Sequence, residues 1–340
     1  MDKTIILAAA GSGKTTYLVE QIPVNARSLI LTYTTSNIIN LRNNIILKFD
    51  CFPEYISLQT YFSFLYSFCI QPFLMDEYKL NGLLYKENFS RYDKGDKRYL
   101  SKNNNLYYNR AAKFVEVKGL LQAIEKRLKK YYDYLFIDEV QDFAGYDFKL
   151  LEDISRSEIN ALYVGDFYQH TFDTSRDANV GQNLHNDFVQ YKNKFKNLKF
   201  NVDETTLVKS YRCSPITCKY IKDNLDINIE SHKNTKTEIK YINNQIEIDD
   251  IMKNDDIIKL FYKEHYKYKC KSRNWGDCKG DNSFIDVCVI INKTTLVYYR
   301  KKRLNELPKK TLNKLYVAIS RAHRDVYFIS ENDILKFKKT

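Results

Sequence analysis

Thr4-Ile5-Ile6-Leu7-Ala8-Ala9-Ala10-Gly11-Ser12-Gly13-Lys14-Thr15-Thr16 is the stretch that decides the fold of this 340-residue chain. Its first four residues form an apolar, β-branched run suited to a parallel strand buried on both faces. Over residues 14–22 the spacing of Leu18, Val19 and Ile22 predicts a helix with one apolar side. Between strand and helix, the glycines let the backbone wrap around an anion and turn its amides inward, at the positive end of a helix. Ala10, Gly11, Ser12, Gly13, Lys14, Thr15 and Thr16 are therefore the candidate phosphate-binding residues. Lys14 would reach the β and γ oxygens, and the Thr15 hydroxyl would ligate Mg2+. Ala8 stands where such a loop usually begins with glycine.

Working outward, Tyr134-Leu135-Phe136-Ile137 is a second buried-strand run, followed by Asp138-Glu139-Val140-Gln141-Asp142. A strand there delivers its acids to the carboxyl edge of a sheet, where open α/β sheets bind ligands. Asp138 is expected to hold the metal and Glu139 to polarise water for attack on a γ-phosphate. The two motifs together predict an ATP hydrolase with ATP and Mg2+ as cofactors. Further strands are expected at 29–33, 55–59 and 161–164, and helices at 35–49, 60–70 and 117–131, the last from Val117, Leu120, Leu121, Ile124, Leu128 and Tyr131. This alternation predicts a doubly wound parallel α/β domain over 1–206. Residues of about 72–116 change character, polar and without periodicity, and read as an inserted subdomain. From 207 to 340 a second α/β unit is expected, with strands at 285–291 and 326–329 and a helix at 312–322.

Composition sets the partner classes. Lys and Arg number 54 against 42 Asp and Glu, a net charge of +12. That excess suits a polyanion and equally suits lysines solvated everywhere. No run of 18 apolar residues occurs, and Met1-Asp2-Lys3 leads straight into the first strand, so neither a membrane span nor a secretory signal is expected and the location is read as cytoplasmic. The seven cysteines and five histidines show no metal-ligand spacing, which predicts reduced thiols. No Ser/His/Asp or Cys/His nucleophile arrangement is recognisable.

The remaining strings give the chain a family likeness. Leu31-Thr32-Tyr33-Thr34-Thr35, Thr60-Tyr61-Phe62-Ser63, Val164-Gly165-Asp166-Phe167-Tyr168-Gln169, Tyr211-Arg212, Gly276-Asp277-Cys278-Lys279-Gly280 and Leu315-Tyr316-Val317-Ala318-Ile319-Ser320-Arg321-Ala322 follow one another around the two motifs above. In that order they resemble motifs of the UvrD/Rep-like branch of superfamily 1 DNA helicases, along nearly the whole length. The resemblance implies two RecA-like P-loop NTPase domains in tandem and ATP hydrolysis in a cleft between them. It further implies 3′-to-5′ movement on single-stranded DNA. By the same resemblance Gln169 links the γ-phosphate to DNA, and Arg212 and Arg321 from the second unit stabilise the transferring phosphoryl group. Tyr33, Thr34, Thr60, Phe62 and Phe172 become nucleic-acid candidates.

The departures carry information too. Phe62 replaces a histidine, and only three residues precede the first strand, where relatives carry an adenine-reading glutamine. Lys279-Gly280-Asp281-Asn282-Ser283-Phe284 lacks the glutamate usual after Lys-Gly. The stretch from Arg212 to Gly276 is too short for the large accessory domain of full-length relatives. A compact monomeric motor is expected, on single-stranded DNA or duplex DNA with a tail, with unwinding left to it and a protein partner. A nucleotide-gated regulatory or assembly ATPase is the alternative reading, and a small-molecule kinase the third.

Overall fold

The structure, a computed structural model, describes residues 2–88, 90, 92–171, 180–181 and 183–339. The chain packs as two compact units. One comprises Met1–Leu7, Lys14–Gly165 and Phe172–Asp203, the other Ala8–Gly13, Asp166–Thr171 and Glu204–Thr340.

The first unit is built on a six-stranded sheet. Its order is Ile56–Thr60, Ser28–Thr32, Tyr134–Asp138, Asn160–Gly165, Lys3–Leu7, Asn201–Asp203, and every neighbouring pair is parallel. Parallel neighbours need crossovers rather than hairpins; helices Lys14–Glu20, Thr35–Phe49, Gly145–Ser155 and Phe188–Asn197 lie along those connections. Ser28–Thr32 is buried throughout, which explains why the run reads as continuous apolar sequence instead of alternating. Because all strands point one way, Thr32, Thr60, Asp138 and Gly165 finish at the same sheet edge. The expected parallel α/β architecture is the one observed.

Local departures have local causes. The helix expected to run from Val117 into the acidic strand is two helices, Ala111–Val117 and Leu121–Tyr131. Gly119 between them has φ +66° and its amide donates to the Glu116 carbonyl at 3.0 Å, a glycine C-terminal stop. Ile124 and Leu128 are buried while Val117 is 54% exposed, so the apolar spacing belonged to the second helix alone. The helix expected at 60–70 starts as Tyr61–Phe64, widens to a π-helix over Leu65–Ile70, and continues as Gln71–Tyr78. Phe68, Cys69 and Ile70 are all buried.

The second unit carries a five-stranded, wholly parallel sheet. Its order is Ile239–Tyr241, Val326–Ser330, Asp286–Ile291, Ile257–Phe261, Ser272–Asn274. Asp286–Ile291 is buried at every position, whereas Ile285, expected within that strand, lies outside it and is exposed. Trp275 is completely buried; its indole N–H donates to the Leu260 carbonyl at 2.8 Å, and its ring meets Tyr262 at 5.4 Å. Helix Lys309–Ile319 begins directly after Pro308 and stops before Ser320. Arg321 therefore stands one residue past its C-terminal cap, not inside the helix expected at 312–322.

Candidate nucleotide site

In the first unit the two sequence motifs meet. The Thr15 hydroxyl donates to Asp138 Oδ2 at 2.9 Å across 123 positions of sequence. Lys14 opens the helix Lys14–Glu20 and is buried. Asp138 ends the Tyr134–Asp138 strand, almost wholly buried. Burial, then the neighbouring Glu139 charge, push its carboxyl up to about 7, with Lys14 and the Thr15 hydroxyl acting in the other direction. A hydroxyl and a carboxylate oxygen side by side are the hard ligands that Mg2+ takes, and a divalent cation there would relieve both causes of the raised value. Among the described residues no group of three or more His, Cys, Asp or Glu side chains is assembled to hold a metal. Nucleotide oxygens and water would have to complete the shell.

Glu139 follows in the left-handed region, at φ 60° and ψ 45°. For a residue with a Cβ this costs about 1–2 kcal/mol. Its amide donates to Asp138 Oδ1 at 3.0 Å, and its Oε2 accepts from the Gln141 side-chain amide. The turn thus separates the two acids, one tied to Thr15 and the other to Gln141. Gly165, at the end of the adjacent strand, leaves the space this turn fills: a Cβ there would lie 2.4 Å from Gln141 Oε1 and 2.8 Å from Val140 Cγ1.

The second unit gathers Ala8–Gly13, Gln169, Arg212 and Arg321. Gly11 has φ +70°, and a Cβ on it would lie 2.7 Å from Arg212 Cβ and 2.8 Å from Ser210 Oγ. Its carbonyl accepts from the Tyr211 amide at 2.8 Å, and the Ala9 amide donates to the Leu207 carbonyl at 2.9 Å. Ser12 Oγ donates back to the Ala9 carbonyl at 2.8 Å, bracing the loop from within. Arg212 donates to the Ser320 carbonyl at 3.1 Å and to Asn282 Oδ1. Arg321 donates to the carbonyls of Val317 and Asp281 and to Gln169 Oε1, each at 3.3 Å. Burial first, then the Arg321 charge, push Arg212 down to about 10. Two crowded guanidinium groups of this kind favour an anion such as a phosphate.

The 281–282 loop shows what the unusual Lys-Gly-Asp-Asn sequence does. It supplies the Asp281 carbonyl to Arg321 and the Asn282 amide oxygen to Arg212. Tyr211 was also missed by sequence reasoning. It is 62% exposed, stacked on His232 at 4.0 Å, and its ring would be 3.7 Å from a Cβ on Gly13. An exposed aromatic face beside a phosphate loop offers a surface for a nucleobase.

Tyr33, Thr34, Thr60 and Phe62 fall at the same sheet edge as Asp138. Thr34 and Thr60 are N-caps, accepting from the amides of Asn37 at 3.3 Å and Ser63 at 3.2 Å. Both hydroxyls therefore have a structural duty, worth about 1 kcal/mol each. Tyr33 is half-buried, 5.3 Å from Phe62. Phe62 is only 7% exposed, ringed by Tyr61, Tyr85 and Tyr108 at 5.3, 5.9 and 5.5 Å. The accessible ring of that cluster is Tyr85, 70% exposed. Phe172 lies outside the described residues.

No protein-family model matches the chain and no curated protein matches it. Solved structures do. Arterivirus nonstructural protein 10, a helicase, in its complex with DNA, is 15% identical with a TM-score of 0.50, over 98% of this chain and 61% of that one. The crystal structure of arterivirus nonstructural protein 10 gives 15% identity and a TM-score of 0.49, over 99% and 62%. A PRRSV helicase gives 14% and 0.47, over 98% and 53%. This chain spans less than two thirds of each of them. The likeness to the DNA complex shows the fold alone, with parallel α/β units, and does not single out the UvrD/Rep-like branch.

Proposed function

We propose that the chain is an ATP-hydrolysing motor of the helicase type that moves on single-stranded DNA in the 3′-to-5′ direction. The observation that carries this reading is the 2.9 Å bond between Thr15 and Asp138, which brings the phosphate-loop hydroxyl and the strand-end acid together. The motif resemblance gives roles in ATP turnover to Lys14, Thr15, Asp138 and Glu139 of the first unit and to Gln169, Arg212 and Arg321 of the second. Thr15 and Asp138 would hold Mg2+, which when bound polarises the γ-phosphate. Lys14 stabilises charge on the phosphate oxygens, Glu139 takes the proton of the attacking water, and the two arginines offset charge on the transferring group. The likeness to a helicase solved with DNA supports nucleic acid as the partner, and the charge of +12 agrees with it. The 3′-to-5′ direction and the UvrD/Rep-like branch rest on the motif resemblance.

ATP turnover with and without single-stranded DNA tests the reading, with Lys14→Ala as the blank. Stimulation of roughly tenfold or more supports a motor. A slow rate indifferent to DNA favours the gated regulatory ATPase instead. A rate equal to that of Lys14→Ala sinks both.

A further inference from the structure

Tyr316 has no part in the reading above, yet its hydroxyl joins the Ala10 amide to Asp166, whose carboxylate in turn holds Gln169. The ring is completely buried and meets Tyr168 edge-on at 6.1 Å. Its oxygen accepts the Ala10 amide of the phosphate loop at 2.9 Å and donates to Asp166 Oδ2 at 2.9 Å. These contacts bridge 306 and 150 positions of sequence. Burial, then the Asp166 carboxylate, hold the phenol well above its ordinary pKa, so the proton stays and the single O–H is committed to Asp166.

The same Asp166 oxygen accepts from Gln169 Nε2 at 2.9 Å. That bond settles which way the Gln169 amide faces: nitrogen towards Asp166, oxygen towards Arg321 Nη2 at 3.3 Å. Reversed, the amide would set oxygen against carboxylate and nitrogen against guanidinium, both repulsive. The donors therefore converge on Asp166 from both ends. Ala10 donates to Tyr316 and Tyr316 to Asp166; Gln169 donates to Asp166 and accepts from Arg321.

We infer that Tyr316 is a positioning residue that couples the phosphate loop to Gln169 and Arg321. A phosphate that reorients the Ala10 amide withdraws a donor from Tyr316, and the shift passes through Asp166 to the amide that faces Arg321. Buried hydrogen-bond chains of this kind polarise one another. The inference rests on the proposed function for its rate measurement and on geometry alone for its exchange measurement.

Tyr316→Phe keeps the ring and removes the hydroxyl. In the nucleotide-free protein, amide hydrogen exchange in peptides spanning 8–13 and 166–171 should rise roughly fivefold or more, the scale of one lost hydrogen bond, with the rest of the second unit unchanged. In turnover, kcat should fall about tenfold while KM for ATP stays within about threefold, the signature of an interaction that matters to the transition state. Unchanged exchange at 8–13 overturns the coupling, as does exchange raised throughout the unit. Raised local exchange with a wild-type kcat also overturns it, since the hydroxyl would then hold the loop without serving the reaction. A wild-type protein no faster than Lys14→Ala defeats the proposed function instead, and the exchange result still decides the role of Tyr316.

Discussion

The acid turn of the first unit and the arginine cluster of the second face opposite electrostatic problems. At the turn, a buried carboxyl next to Glu139 is pushed up to about 7. In the cluster, a buried guanidinium near Arg321 is pushed down to about 10. Each region has gathered charge of one sign out of water, which disfavours the charged form. The first is short of a cation and the second short of an anion. The difference teaches that each unit carries its own electrostatic demand, the first for a cation and the second for an anion such as a phosphate.

The largest expected effect tests the cationic side. Arg321→Ala should lower kcat by roughly 10³–10⁵ with ATP affinity near wild type, the range for a lost arginine finger; a wild-type rate would break the assignment. Next comes the acidic side. Glu139→Gln should bind ATP in a fluorescent-nucleotide titration yet turn over roughly 10²–10⁴ times more slowly, the span of a lost general base. Normal turnover would move the water-activating role elsewhere.

Asp138→Asn sharpens the comparison without catalysis. Its carboxyl binds a proton more tightly folded than unfolded, about 7 against 3.8. Stability is therefore fully present below the unfolded value and declines as pH rises through the window between the two. Without magnesium, the asparagine variant should melt a few degrees above wild type at pH 8, with the gap closing at about pH 4. A variant less stable at pH 8 would show that the charge is not frustrated. The smallest effect is steric. Gly165→Ala should destabilise by about 1–3 kcal/mol, the usual cost of overpacking, read as a shifted denaturation midpoint, and an unshifted midpoint would mean the Val140–Gln141 turn can give way.

Much of this was legible in the sequence because it is local. Lys14, Thr15, Asp138 and Gln169 follow apolar runs that become strands, and a strand end has a predictable place in a parallel sheet. The Thr15–Asp138 meeting follows from two strands that end at the same edge of one parallel sheet. What was not legible is long-range. Nothing near Tyr316 in sequence announces Ala10 or Asp166, and Asn282 read as a departure until its oxygen was found on Arg212. Phe62 misled for the converse reason: an aromatic at a motif position looks available, but whether it is depends on Tyr61, Tyr85 and Tyr108 packing around it. The break at Gly119 was hidden because Val117 happens to sit in phase with the following helix.

Trp275 is the chain's single tryptophan, and it is sealed in the core of the second unit. Nature has thus placed one optical label in this unit, just ahead of the loop that holds both arginines. Its emission, excited apart from the 28 tyrosines, follows the unfolding of that unit alone, and a shift on adding nucleotide would register movement in the loop beside it.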